Sequence, residues 1–506
     1  MISARTFRGG IHPLHSSGEG KRLTAALPVE PMTAPKTVCI PMAQHIGAPC
    51  VPCVAVGEHV KRGQKIGQTR SFVSAPVHAS ISGTVTEIAP HLVVGGNMVT
   101  CVTIENDFAD EWAEECLAEP RDLDSITAEE ALNAVLEGGL VGMGGAAFPA
   151  HVKLSPPKDK KIDFLLVNGA ECEPYLTADH RLMLEQSKRI IGGIRLFARI
   201  LGNPRCIVGI EANKRDAAEV MRQAAQGTNV EIRVLPVKYP QGSEKQLIQV
   251  LAGRQVPSGK LPMDAGCVVA NVSSAAAAYD SAVLRRPVTE RVLTVTGAVE
   301  HPRNLLVRVG TCMEELVEFC GGLKPDADRV VSGGPMMGIA LYDLSVPVVK
   351  GTSGVLALTR EQTNPGKLTN CIRCGRCVRA CPMHLMPFEL CNDVERNDWQ
   401  AAEHHSVHGV RFLHLCLSRT PQHHVVHPHR QAPGHGAAQE TVKGEEREHE
   451  SAYGIAFAPC AQRSDDAQDH AGRLSGTAAG GDLCGLLVWI RRAAYGAAFR
   501  GVRDFE

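Results

Sequence analysis

The chain has 506 residues, 44% hydrophobic and 21% charged, with 53 Lys and Arg against 54 Asp and Glu and a formal net charge of -1. That length exceeds one compact core and implies several domains, while the near-zero balance, with no block of Lys and Arg, argues against nucleic acid and against a polybasic membrane anchor. The start lacks the apolar h-region of a secretory signal and the longest apolar patches, such as CGLLVWI, fall far short of the roughly 20 residues of a spanning helix, so the 18 cysteines point to metal or redox chemistry rather than disulfides.

Residues 1–36 read as an N-terminal arm. From 37 to 107 short β segments broken by Gly and Pro (TVCIPM, GQKIGQ, ISGTVTEIAP, MVTCVTIE) predict a small barrel or sandwich. VGEHVKRGQKIG followed by APVHASISGTV resembles the hammerhead of biotinyl and lipoyl carrier domains. The hairpin between them lacks a lysine to carry a prosthetic group, so a structural use of the fold is expected. Cys50 and Cys53 lie in this barrel region, not at a strand-to-helix turn, which disfavours a thioredoxin-like pair.

Between 108 and 288, helical stretches (TAEEALNAVLEGG, DAAEVMRQAAQ) alternate with apolar runs (KIDFLLVNG, RCIVGIEAN, AGCVVANVS), predicting a parallel α/β domain with ligands at the strand ends. Its stretch GGLVGMGGAAFPAHVKL holds Gly142, Gly144 and Gly145, where the backbone can approach a phosphate or a flavin ring closely, with Lys153 available as a cation. After the strand ending near Val167 come Asn168, Glu171 and Glu173, polar groups suited to a ribityl chain or ring edge. Alone, such glycines are more often a tight packing turn, and acids after a strand are usually just solvated. Cys172, between two acids, is expected to be a filler with its thiolate disfavoured.

Residues 289–345 give two strands and an amphipathic helix, a small β-grasp-like module. Residues 346–405 contain CIRCGRCVRACP, which sets Cys371, Cys374, Cys377 and Cys381 at the C-x2-C-x2-C-x3-C-P spacing of a ferredoxin-type 4Fe-4S run. In two-cluster ferredoxins the fourth cysteine of such a run ligates the other cluster, which demands a second run, and none is written. Instead nine histidines fall between His404 and His435 in a stretch without apolar periodicity. A metal-binding tail is one reading. A reading frame displaced by one base is the other: Val407–His408, Val410–Arg411, Leu413–His414 and Leu417–Ser418 can each encode cysteine in the shifted frame, with the 3, 3, 4 spacing of the first run. That frame can stop at Val442–Lys443, so residues 406–506 are expected to be a frameshifted, disordered tail. The predicted fold is multidomain α/β: an N-terminal β barrel-sandwich, a parallel α/β domain, a β-grasp module and a ferredoxin-like iron–sulfur segment.

Together, GGLVGMGGAAFP and NGAECEP resemble the flavin and NADH site of the flavoprotein subunit of respiratory complex I, whose pattern is similar to G-L-R-G-R-G-G-A-G-F-P and N-A-D-E-x-E-P. Departures stand at Val141 and Met143, where that family has arginines, and at Ala170, where it has an aspartate. With the ferredoxin run downstream and FRGGIHP upstream, residues 1 to about 400 resemble the C subunit of the Rnf, or ion-translocating oxidoreductase, electron transport complex. KYPQGSEKQLI, VPSGKLPMDAG and VSGGPMMG carry the same likeness, with Ser243 where a second glycine is usual. The resemblance implies a peripheral subunit on the cytoplasmic face of the bacterial inner membrane. It implies FMN held by Gly142, Gly144, Gly145, Phe148, Lys153, Asn168, Glu171 and Glu173, with Glu173 and Lys153 serving hydride exchange with NADH. Single electrons would pass through two 4Fe-4S clusters, at most one of them in this chain, to the membrane subunits of the complex, with ferredoxin a further partner. The module near residue 300 would be a soluble-ligand-binding β-grasp domain acting as a spacer. A redox-inactive docking subunit of the same complex is the rival reading.

Overall fold

A computed structural model describes residues 6–12, 20–145, 147–363 and 371–396. The histidine-rich stretch and the displaced-frame positions lie outside the described residues.

The barrel region forms as two small sheets. Thr37–Pro41, Met98–Asn106, Gly83–Leu92 and His59–Val60 make one, and Val51–Pro52, Lys65–Gln68 and Val77–His78 the other. Alternation along the strands turns Val38, Ile40, Val85, Val102 and Ile104 inward, where they meet Val60, Ile66 and Val77 in one apolar core. Cys50 is buried with its thiol directed to the Ala75 carbonyl at 3.3 Å, whereas Cys53 is exposed.

The central domain is a four-stranded parallel sheet in the order Val230–Leu235, Arg205–Glu211, Phe164–Gly169, Cys267–Asn271. Its strands are near-continuous apolar runs, as a sheet covered on both faces requires. Leu165, Val167, Cys206, Val208 and Ile210 pack with the helices Ala178–Glu185, Ser187–Ile200 and Val272–Ala282. Leu166 and Ile207 face the helix Glu244–Ala252 on the other side. The helix Ala128–Glu137 starts where the sequence says it should, at a capping box between Thr127 and Glu130. From Phe164–Gly169 the chain builds outward to one side, then returns to place Cys267–Asn271 on the other. The order therefore reverses between these two strands, and a crevice at their carboxyl ends is where open α/β sheets take ligands.

A six-stranded mixed sheet follows, in the order Val29–Pro31, Arg303–Arg308, Glu290–Gly297, Gly354–Thr359, Ala327–Ser332, Ile339–Ala340. The helix Met313–Phe319 seals one face through Met313, Leu316 and Val317. Two of these strands come from stretches that the sequence assigned elsewhere: Val29–Pro31 from the arm, and Gly354–Thr359 from the iron–sulfur segment. The cysteine run itself carries the short helix Arg376–Ala380, followed by Pro387–Glu395. No helix among the described residues is long and apolar enough to cross a membrane.

Candidate functional site

Asn168 and Asn271 end the two strands at the switch point and stand in register with each other. Asn168 is fixed by two bonds, from its Nδ2 to the Gly242 carbonyl at 2.9 Å and from the Ala170 amide to its Oδ1 at 3.0 Å. Asn271 caps the helix Val272–Ala282 by accepting the Ser273 amide at 2.8 Å, and donates to Asp179 at 2.8 Å. The positive end of that helix dipole thus opens beside the crevice.

The glycine loop closes over this point. Val141 bridges Pro149, the Gly142 amide donates to the Phe148 carbonyl at 2.8 Å, and the Ala147 amide donates to the Gly142 carbonyl at 3.1 Å. A packing turn would leave no room for a side chain. Here a β-carbon on Gly142 or Gly144 would meet nothing nearer than 3.6 Å, the Gly144 neighbour being Asn271, and one on Gly145 would meet nothing within 4 Å. The loop is therefore a shelf with free space above it, as close approach by a flat ligand requires. Val141 and Met143, at the two arginine positions of the complex I pattern, point into the core and are buried.

The two acids of NGAECEP play different parts. Glu171 accepts the backbone N–H groups of Asp179 at 2.8 Å and His180 at 3.1 Å, capping the first turn of Ala178–Glu185. Glu173 turns the other way. Its carboxylate accepts the Met336 amide at 3.1 Å and lies 3.5 Å from the Tyr239 hydroxyl. Two lysines, Lys21 half-buried and Lys214 buried, support the loop from below. Lys21 donates to the carbonyls of Glu171 at 3.0 Å and Glu173 at 2.8 Å, and Lys214 to the Ala170 carbonyl at 2.7 Å and the Glu211 carboxylate at 3.1 Å. With Lys214 paired to Glu211 and Glu171 set on a helix end, Glu173 makes no ion pair among the described residues, and Lys21 acts on it only from a distance. Burial accordingly pushes its carboxyl up to about 7.

Lys153 reaches the Glu244 carboxylate at 3.0 Å and the Val269 carbonyl at 3.4 Å, so its charge is already met by an acid. Cys172 is pushed up to about 12, first by burial and then by Glu211, and its sulfur accepts the Gly242 amide at 3.2 Å. The filler role stands, with Glu211 ranking above the adjacent Glu173. Ser243 adopts φ -64 and ψ 136, open to any residue, so the missing glycine costs the loop nothing.

The six-stranded sheet is more than a spacer. Arg291 reaches from it to the Met143 carbonyl at 2.6 Å and to Thr352 at 2.9 Å, and a β-carbon on Gly334 would stand 2.2 Å from the Glu173 carboxylate. Lys21, Lys214, Glu211 and Arg291 carry no signal in the sequence, since each joins the site from a remote segment, whereas Tyr239 and Gly334 lie in KYPQGSEKQLI and VSGGPMMG, which gave a likeness but no role. Gln241, next to Gly242, is wholly buried, and neither end of its amide finds a partner among the described residues. The open shelf, the helix N-terminus and this orphaned amide suit a flat, anionic group such as FMN.

In the cysteine run, Cys371 and Cys374 are exposed, Cys377 is half-buried and Cys381 is buried. The Arg373 amide donates to the Cys371 sulfur at 3.4 Å. Burial raises the thiols of Cys377 and Cys381, against backbone N–H groups of Val378 and Phe388 at the first and of Leu385, Met383 and His384 at the second. Sulfurs ringed by amide donors fit thiolate ligation of iron in kind. Among the described residues no three His, Cys, Asp or Glu side chains converge as metal ligands.

Comparison with known families agrees with this anatomy. Residues 5–109 match the RnfC barrel sandwich hybrid domain, 135–280 the Nuo51 FMN-binding domain and 292–340 the SLBB domain. Fold and site thus define a flavin-binding oxidoreductase subunit. The chain is 47% identical over 400 residues to the C subunit of the proton-translocating ferredoxin:NAD(+) oxidoreductase complex of Clostridium ljungdahlii, covering 79% of this chain and 86% of that one. It is 43% identical to the Na(+)-translocating counterpart of Acetobacterium woodii (79% and 89% covered) and 41% identical to the C subunit of the ion-translocating oxidoreductase complex of Rhodobacter capsulatus (79% and 77%). The chain belongs to the family of C subunits of the Rnf, or ion-translocating, ferredoxin:NAD(+) oxidoreductase complexes.

Proposed function

We propose that this chain is the peripheral NADH-linked electron-transfer subunit of a bacterial membrane complex that couples ferredoxin and NAD redox chemistry to ion translocation, working from the cytoplasmic face of the inner membrane. The observation that carries the reading is the shelf of Gly142 and Gly144, open over Asn271 at the switch point of the sheet. FMN, when bound, takes a two-electron hydride from NADH and releases electrons singly, the step a one-electron cluster chain needs.

The residues divide the work. Gly142, Gly144, Gly145 and Phe148 form the shelf, and Asn168 and Asn271 orient polar groups at the strand ends. The N-terminus of Val272–Ala282 favours the phosphate, and Glu171 and Lys153 hold the surrounding elements through the bonds described above. Glu173, with its carboxyl near neutrality, holds or gives up a proton beside Tyr239 and the 334–336 loop. Cys371, Cys374, Cys377 and Cys381 would hold 4Fe-4S iron, with Cys381 assigned to a second cluster and the membrane subunits receiving the electrons.

Visible spectroscopy on the purified full-length chain tests the reading. Stoichiometric flavin bands that bleach with NADH are expected. A redox-inactive docking subunit would show neither flavin bands nor thiolate-to-iron absorption.

A further inference from the structure

Residues 7–11 do not behave as a loose terminus. Phe7 is only 2% exposed and belongs to the apolar core formed by Leu166, Ile207 and the helix Glu244–Ala252. Its carbonyl accepts the Lys238 ammonium at 2.7 Å, and the same ammonium lies 4.3 Å from the centre of its ring. Ile11 exchanges both backbone bonds with Tyr239, at 2.9 and 2.8 Å. The arm is thus anchored at both ends to the α/β domain.

Between the anchors it grips the cysteine run. Ala380 ends the helix Arg376–Ala380, whose last carbonyls lack partners within the helix, and the Gly10 amide supplies one to Ala380 at 2.7 Å. Gly9 lies directly on the next residues. A β-carbon there would stand 2.9 Å from the Cys381 carbonyl oxygen and 3.0 Å from the Pro382 Cα, with φ already at +79. At Gly10, φ +76, a β-carbon would meet the Tyr239 carbonyl at 2.7 Å. One side-chain contact runs parallel to the arm, from Gln246 of the α/β domain to the Met383 sulfur at 3.4 Å. The path continues through Tyr239, whose hydroxyl faces Glu173.

We propose that residues 7–11 form a positioning strap that holds the iron–sulfur segment at a fixed place on the α/β domain, with Gly9 and Gly10 as its positioning residues. This rests on the flavin and iron–sulfur reading above. Electron transfer falls steeply with separation, and a donor–acceptor pair split between two segments keeps its distance only if something ties them together. The sequence between the six-stranded sheet and the cysteine run supplies a covalent link, and the strap supplies the docking.

Hydrogen–deuterium exchange on the full chain tests this without needing a loaded cluster. Gly9→Val should raise exchange in 371–396 at least tenfold over the rest of the chain while leaving flavin content and bleaching by NADH unchanged. Gly57→Val imposes the same left-handed strain, φ +89, where a β-carbon meets nothing within 4 Å, and should leave 371–396 as in the unmodified protein. Should Gly9→Val not fold, Lys238→Met removes the Phe7 carbonyl bond more gently and should loosen the same segment. In iron-loaded protein, flavin-to-cluster transfer should slow at least tenfold. Unchanged exchange at 371–396, or a rise shared by the whole chain, overturns the strap. Absence of flavin from the unmodified protein overturns the flavin reading instead and leaves the exchange result standing.

Discussion

Arg291 and Met143 meet across two domains in a buried bond: the guanidinium, on the six-stranded sheet, donates to the carbonyl at the base of the glycine shelf over 2.6 Å. Arg291 is 3% exposed, and burial lowers its guanidinium from the usual arginine range. Removing it relieves that desolvation but orphans two carbonyls, so the net change in stability is small compared with the change in loop order. Arg291→Met, which keeps the stem, is expected to weaken FMN binding at least tenfold. Equal affinities in a flavin titration would show that the shelf does not depend on this anchor.

Gly144 can be tested directly. A β-carbon there meets only Asn271, at 3.6 Å, so Gly144→Val should fold with nearly the melting temperature of the unmodified chain while its methyl groups fill the space a flavin ring needs. Full FMN content in a well-folded Gly144→Val protein would remove the shelf from the flavin site.

Glu173 makes stability depend on pH. Its carboxyl titrates near 7 in the folded chain because burial disfavours the charge, against an ordinary value of 4.5. The folded state therefore binds the proton more tightly. Its stabilising effect is full below about 4.5 and is lost as pH rises toward 7, a span on the order of 3 kcal/mol. Glu173→Gln should abolish that slope, being more stable than the unmodified protein at pH 8 and about equal at pH 4. Denaturant midpoints at the two pH values check it. NADH oxidation should fall at all pH values, and its acid–base profile near 7 should flatten.

What the sequence discloses is what is written contiguously. The parallel sheet follows from unbroken apolar runs such as FLLVNG and RCIVGIE, and the shelf from adjacent glycines. Lys21 is invisible because GEGKR reads as an exposed charged stretch, yet its ammonium is spent on the carbonyls of residues 171–176, some 150 positions away. Arg291 looks like the flank of a strand. GVLALT, without polar alternation or a turn partner nearby, passes for a linker to the cysteines, although residues 354–359 form an inner strand of the six-stranded sheet. Cys172 sits between two acids in sequence, whereas in the fold Glu171 turns away to cap a helix and the remote Glu211 takes its place beside the thiol.

A displaced reading frame after residue 405 would have a chemical consequence of its own. On the shared-ligand pairing, a first cluster would find three thiolates in the run as written and a second only Cys381, so the chain is expected to hold at most one labile cluster. Shifting the frame by one base near His405 should raise the iron content to about eight per chain, two 4Fe-4S clusters. Iron and sulfide analysis of both proteins decides it: eight irons in the chain as written would refute the displaced frame, and no gain after correction would refute the shared-ligand pairing.

The parallel pairing of Val29 with Asn304 spans 275 positions, and the Phe7 to Ile11 stretch waits still longer for its cysteine partner. A ribosome adding roughly 5–20 residues per second needs about 15–55 s to cover that interval. Throughout it, Val29–Pro31 has no strand to pair with, and its edge stays open to water. The strand Val29–Pro31 is therefore covered only long after it is made, an edge that stands open to stray pairing while the chain is still growing.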